Sequence, residues 1–459
     1  MREKYHFIAI GGIGMSGLAK YLLENGYEVS GSDIVDSKYI NKLRNLGARV
    51  FIGHDENNLP ENCTVVASTA IKEDNPELLK AKRLGLPILH RSDMLAELSR
   101  MGKFFLGYSG THGKTTTSGL SSYVLEKSGL KPSYVVGGIL PEIGTNAHSQ
   151  DGKFFCAELD ESDGTIVKYS PDIVVINNIE PDHLDFYKNG IDSILETFSD
   201  FVSGLKETSI ILANNDNDGV CQLLSDISQK PIEYLTYGLN DADYVAKNIE
   251  YGEYFTTFDI YYKNEFLTEL KICLKGIHNV YNSLAVFASL HQTKIDMELV
   301  KPHFATFSGM GRRFEKVCEF NGITVYDDYA HHPTEIKATL SSAKSFKNRN
   351  IIAVFQPHRF TRLNSLWDDF LQAFDEVNRA IVTDVFSASE PPIEGVSGEN
   401  FAKELDDAEY ISGDIKTVAK KLLPTLKSGD IVIGLGAGTI TALGKELLNA
   451  NEEMSKVGN

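Results

Sequence analysis

The chain has 459 residues, 42% of them hydrophobic, and its 45 Lys and Arg against 63 Asp and Glu give a formal net charge of −18. That length predicts about three domains, each able to bury its own core. The acidic balance excludes broad binding along a nucleic-acid backbone, and no apolar run is long enough to cross a bilayer, so neither nucleic acid nor membrane is an expected partner.

Taken in chain order, residues 5–10 read as a buried first strand rather than a secretion signal, because glycines cut the apolar stretch short. The turn that follows, Gly12-Ile13-Gly14-Met15-Ser16-Gly17, has Asp33 about 20 residues on. This is the dinucleotide pattern, in which backbone N–H groups take a diphosphate and the acid takes a ribose. A tight turn that merely packs helix on strand is the alternative. Apolar runs at 64–68, 104–108, 173–177, 210–213, 351–355, 380–385 and 431–435 alternate with helical stretches, which predicts α/β architecture with parallel sheets. Residues 244–273 alternate in polarity instead and are expected to form antiparallel hairpins on an α/β core.

The strongest local signal is Gly110-Thr111-His112-Gly113-Lys114-Thr115-Thr116, between the strand at 104–108 and a helix expected over 116–127. Such a loop cradles phosphates with its N–H groups. The lysine reaches the β and γ oxygens, and the next hydroxyl holds Mg²⁺. The first glycine of the longer P-loop form is absent, since Tyr108 stands there. A third, weaker glycine loop at 434–438 marks a possible third domain start.

Acids and histidines gather at strand ends. Glu158 to Asp163 is either a Mg²⁺-binding edge or a solvated acidic loop. Glu180-Pro181-Asp182-His183 and Asp327-Asp328-Tyr329-Ala330-His331-His332-Pro333 end two further strands, where α/β sheets bind ligands. Arg359 and Arg362 form a fork suited to a substrate carboxylate, with a surface ion pair such as Arg362 to Asp368 as the alternative. The five cysteines, Cys63, Cys156, Cys221, Cys273 and Cys318, form no C-x-x-C pair, so free thiols in a reducing cytoplasm are expected.

Together these motifs, with Gly276-Ile277-His278-Asn279-Val280-Tyr281-Asn282, Gly311-Arg312-Arg313-Phe314-Glu315 and Gln356-Pro357-His358-Arg359-Phe360-Thr361-Arg362, occur in one order. In that order the chain resembles the Mur ligases of bacterial peptidoglycan synthesis. The resemblance spans nearly the whole chain. It implies three domains: an N-terminal Rossmann-like domain for a UDP-sugar (1–102), a central P-loop ATPase domain (103–312), and a C-terminal Rossmann-like domain for an amino acid (313–459). The glycine turn at 11–17 and the arginine stretch at 356–362 are most similar to members that use L-alanine. The implied activity is ATP-dependent joining of L-alanine to the lactyl carboxylate of UDP-N-acetylmuramate through an acyl phosphate. A tripeptide-recycling member of the same family and a non-catalytic UDP-sugar sensor are the alternatives.

Carried over residue by residue, the resemblance assigns Lys114, His183 and His331 to catalysis, with His331 as candidate base for the alanine ammonium. It assigns Gly110, Thr111, His112, Gly113, Lys114, Thr115, Thr116, Asn282 (adenine), Arg313 (phosphate) and Asp328 (ribose) to ATP. Gly12, Gly14, Met15, Ser16, Asp33 and Asn146 go to the UDP-sugar, and His331, Arg359 and Arg362 to alanine. Thr115, Glu158 and His183 go to Mg²⁺, as two ions with Mn²⁺ as a substitute. Several family members carry a carbamylated lysine one helix after the His183 position. Here that stretch is Leu195-Glu196-Thr197-Phe198, so the second ion must be completed by water and substrate. The expected assembly is a monomer or weak homodimer.

Overall fold

A computed structural model describes residues 3–457 apart from 185, 229–231, 253, 345, 347, 348 and 376. Three sheets follow one another along the chain. The first is all parallel, in the order β3-β2-β1-β4-β5, built from β1 (Lys4–Ile8), β2 (Glu28–Asp33), β3 (Arg49–Ile52), β4 (Thr64–Ala67) and β5 (Ile88–His90). β1 stops two residues before the expected end, because Ala9 turns into the left-handed region (φ 63°) and starts the glycine turn.

The second sheet has ten strands. They are β6 (Phe104–Ser109), β7 (Ser133–Leu140), β8 (Thr145–His148), β9 (Phe154–Glu158), β10 (Ile173–Ile176), β11 (Ile210–Asn214), β12 (Glu233–Gly238), β13 (Tyr244–Tyr251), β14 (Thr256–Tyr262) and β15 (Glu265–Ile272). Their order is β15-β14-β13-β12-β11-β10-β6-β9-β7-β8. The centre is parallel and fully buried, which is why β10 reads Ile-Val-Val-Ile. β13, β14 and β15 run antiparallel, as their alternation predicts.

Helix Lys114–Lys127 crosses this sheet with ten of its residues buried. Its Ser, Thr and Gly residues let neighbours approach on all sides. At Gly119, an added Cβ would sit 2.1 Å from Met310 Sδ.

The third sheet runs β16-β17-β21-β18-β19-β20, from β16 (Glu315–Phe320), β17 (Ile323–Asp328), β18 (Asn350–Phe355), β19 (Arg379–Val382), β20 (Ala408–Tyr410) and β21 (Asp430–Leu435). β21 lies at the centre of this sheet, between β17 and β18. The glycine loop after it is therefore the exit of the last described strand and not a domain start. β19 also ends at Val382, three residues short of the expected 385.

All five cysteines are free, and Cys63 and Cys156 are buried. Among the described residues, no helix is long and apolar enough to cross a membrane.

Candidate active site

Two glycine turns and a cleft lie at the strand ends. The second turn, 110–116, is held from its own sheet. Gly110 (φ 122°) has no room for a side chain, since a Cβ would meet the Asn178 backbone at 2.9 Å. Thr111 N–H donates to Asn178 O (3.0 Å) and His112 N–H to Asn178 Oδ1 (2.7 Å). Gly113 (φ 82°) begins helix Lys114–Lys127 with no side-chain cap, leaving first-turn donors for an anion.

Lys114 Nζ donates to Gly110 O (2.7 Å) and Thr111 O (3.0 Å), and pairs with Glu161 Oε2 at 2.8 Å. Burial pushes Glu161 up to about 7 in spite of that cation. Burial would lower Lys114, but Glu161, Asp160 and Glu158 more than offset it, so the ammonium stays charged. Glu161 lies within the acidic run 158–163, three residues past the end of β9, but nothing in the sequence singles it out there.

Thr115 Oγ1 donates to Glu158 Oε2 (2.9 Å), which also accepts Gly137 N–H (2.9 Å). A Cβ on Gly137 would lie 2.3 Å from that same oxygen, so the glycine is what leaves the carboxylate room beside the loop. Oxygen donors suit a hard cation, and Thr115 and Glu158 fit Mg²⁺. His183 adopts φ 53°, and its Nε2 lies 3.5 Å from Asp182 Oδ2. Asp185, at the end of that run, lies outside the described residues.

In the first turn several of the residues expected at the UDP-sugar also hold the turn itself. Met15 and Ser16 are buried, and Ser16 Oγ donates to Ile13 O (3.1 Å), so neither side chain faces a ligand. Backbone at Gly12 is exposed and at Gly14 half-buried, so both are open to one. Asp33 Oδ2 accepts Gly11 N–H (2.8 Å) and Oδ1 accepts Val35 N–H (3.2 Å), so the half-buried carboxylate braces the turn and keeps lone pairs for a ribose. Asn146, on β8, is buried and donates through Nδ2 to Ile13 O (2.8 Å), clasping the first helix onto the second sheet. Arg91, which the sequence reading lacks, adds a second clasp. Its Nη2 donates to Asp160 Oδ2 (2.5 Å) while Nη1 stands near Gly14.

A cleft of about 1050 Å³ between the second and third sheets is lined by His112, Gly113, Asn282, Arg313, Asp328 and Glu335 among others. A Cβ on Gly113 would lie 2.7 Å from the Asn282 side-chain oxygen, which puts Asn282 beside the phosphate-type turn rather than deep in the cleft. Thr116 is buried on the same wall. Arg313 Nη1 meets Glu335 Oε1 at 3.3 Å. Asp328 is occupied by Ala330 N–H (2.8 Å), Phe314 N–H (2.9 Å) and Thr339 Oγ1 (3.1 Å), and burial raises it to about 6. One lone-pair site remains at most.

His112 reaches Glu180 through Nε2 (3.4 Å) and Glu335 through Nδ1 (3.5 Å). Burial alone would lower it, but the two carboxylates hold it up at about 9, so it bridges the second and third sheets as a cation.

Arg362 answers the question of its partner. Its Nε and Nη2 both donate to Asp182 Oδ1 (3.3 and 3.2 Å), a buried carboxylate of the second sheet, and not to Asp368. Arg359 lies beside it, 3.5 Å from Glu390 Oε1.

His331 stands near Arg362 just past the end of β17. Burial, aided by Arg362, lowers it to about 3, and its Nδ1 lies 2.9 Å from the Tyr329 carbonyl oxygen. With Nδ1–H donated there, Nε2 is left as an acceptor.

Family models match the chain in three consecutive pieces: the Mur ligase family catalytic domain at residues 4–103, the Mur ligase middle domain at 109–290, and the Mur ligase glutamate ligase domain at 312–438. The UDP-N-acetylmuramate–L-alanine ligase of Geobacter sulfurreducens is 42% identical over 458 residues, 98% of each chain. That of a Sulfurihydrogenibium species is 44% identical over 452 residues, 97% of each. Among solved structures, the UDP-N-acetylmuramate-alanine ligase MurC of Thermotoga maritima superposes with a TM-score of 0.83 at 27% identity, covering 98% of this chain and 99% of its own. A murein peptide ligase from Psychrobacter arcticus shares the fold (TM-score 0.72, 21% identity, 98% of each chain).

Proposed function

The chain belongs to the Mur ligase family, and from that premise we propose that it joins L-alanine to UDP-N-acetylmuramate at the expense of ATP, for peptidoglycan precursor synthesis in the cytoplasm. Full-length identity of 42% to ligases of that name carries the reading. We take the domains as 1–102 for the UDP-sugar, 103–312 for ATP and 313–459 for alanine, in a monomer or weak homodimer.

In this reading Lys114 leaves Glu161 and the loop carbonyls to meet the β and γ phosphates, and Glu161, poised near neutrality, tolerates the loss of its partner. Gly110, Thr111, His112, Gly113 and Thr116 shape the phosphate cradle. Asn282 and Arg313 approach the nucleotide from the walls of the cleft, and Asp328 steadies the Phe314 turn beside it. Thr115 and Glu158 would hold one Mg²⁺, with His183 toward a second. The ion supplies charge neutralisation on the transferring phosphoryl group.

The lactyl carboxylate attacks the γ phosphorus and ADP leaves. The alanine amine then attacks the acyl phosphate, and the tetrahedral intermediate expels phosphate. Arg362 and Arg359 orient the alanine carboxylate. His331 Nε2 accepts a hydrogen bond from the amine, while the departing proton passes to substrate or phosphate oxygens.

A pure UDP-sugar sensor has no use for this amino-acid end. The test is phosphate release with ATP, UDP-N-acetylmuramate and each amino acid in turn. L-alanine is expected to give the highest kcat/KM, and a higher rate with a murein tripeptide would move the chain to the recycling branch.

A further inference from the structure

Where the second and third sheets meet beside Arg362 lies a cavity of about 20 Å³, lined by Asp182, His183 and Leu184 on one side and by Arg359, Arg362 and Leu366 among others on the opposite side. A space of that size holds one water-sized group. Its charged part is Arg359 and Arg362 together with Asp182, which takes Arg362 Nε and Nη2 in this state. Its apolar part comes from two leucines, one from each unit, Leu184 half-buried and Leu366 9% exposed.

We propose that this cavity receives the side chain of the incoming amino acid and that Leu184 and Leu366 fix its size limit at a methyl group. The proposal rests on the alanine-ligase reading and adds the residues that set selectivity. An amino acid whose carboxylate pairs with Arg362 has its α-carbon within one bond of that carboxylate. Its side chain must then enter the adjoining space or be turned out of it. A methyl fills the cavity and displaces one water. One more methylene overpacks it, because close-packed walls do not yield without moving side chains or backbone. Glycine leaves it empty and forgoes the contact. The limit is set across an interface between two units, so it exists only when the third unit is docked on the second.

The experiment measures kcat/KM for glycine, L-alanine and L-2-aminobutyrate in the full-length enzyme and two variants. The wild type is expected to favour alanine over L-2-aminobutyrate by about 10- to 200-fold, the range for one methylene in a tight pocket. Leu184→Ala opens the wall and should narrow that ratio at least about tenfold. Ser365→Val adds bulk from an exposed position on the lining and should move the alanine-to-glycine ratio down by several-fold. Ratios are read because Leu184 follows His183, and any disturbance of the ion or phosphate side slows all three amino acids alike. Ratios unchanged within twofold in both variants overturn the proposal while leaving the alanine-ligase reading in place. A wild type that releases no phosphate with alanine overturns that reading instead.

Discussion

The two glycine turns follow one plan, strand to glycines to helix, yet they differ in the backbone conformation each needs. The first has ordinary backbone at Gly12 (φ −62°), and its nearest neighbour to an added Cβ is 3.6 Å away. It is braced by its own Asp33 and clasped by Asn146 and the Arg91–Asp160 pair from the second unit. The second needs positive φ at Gly110 and Gly113, is braced by Asn178, and is met from the third unit by Glu335. Both turns are braced within their own unit and met from a neighbouring one; they differ in where the left-handed backbone falls, on glycine at Gly110 and Gly113 but on Ala9 at the entry to the first.

The largest effect that follows is at Lys114. Lys114→Ala should lower turnover by about 10³-fold or more, since the phosphoryl group loses its nearest fixed cation. Melting temperature should change little, because Glu161 already sits near neutrality and can take a proton in place of its partner. Phosphate-release kinetics with a parallel thermal melt check both halves.

Next is the contact from the third unit. Arg362→Ala should lower kcat/KM for alanine by about 30- to 1,000-fold, the range for a lost charged hydrogen bond, with ATP and UDP-sugar KM nearly unchanged. Arg362→Lys should restore only part, because a point charge cannot reproduce the fork. If Arg362 serves only to neutralise Asp182, the loss appears in thermal stability, and the alanine KM stays where it was.

The comparison of turns is sharpest in two alanine substitutions. Gly113→Ala should cost about 1–2 kcal/mol of stability from φ 82° alone, besides pressing on Asn282, and should raise the ATP KM. Gly12→Ala should leave the melting temperature within a degree or two and act on the UDP-sugar KM alone. Equal destabilisation by both would break the distinction.

The smallest effect is a pH dependence. His112 binds its proton more tightly in the folded chain (about 9) than in the unfolded one (6.5), so the folded state holds more protons between those values. The stabilisation it lends the interface is complete below about pH 6.5 and fades as pH rises through 9. Unfolding of wild type and His112→Asn across pH 6–10 checks this. The variant should lose most of that slope.

Legibility followed the range of the contacts. The turn at 110–116, the strand before it and the Thr115–Glu158 pair were readable because strand ends and motif spacing put them together. The antiparallel hairpins at 244–272 were readable from alternation alone. Pattern places Asp33, Met15, Ser16 and Asn146 at or beside the turn but does not encode the hydrogen bonds by which Asp33, Ser16 and Asn146 also hold it. The partners of Arg362 and His112 come from 180 and 223 residues away, Asp182 and Glu335, and no local pattern encodes such pairs. Nor does a motif show that burial beside Arg362 lowers the basicity of His331.

The central claim is that the phosphoryl group held at Lys114 activates a carboxylate delivered by the first unit. The most direct test uses UDP-N-acetylmuramate labelled with ¹⁸O in the lactyl carboxylate, with ATP and L-alanine, followed by mass analysis of the released phosphate. An acyl phosphate requires one ¹⁸O to leave with each phosphate and one to remain in the amide carbonyl. Phosphate free of label, with the amide still formed, would contradict the account.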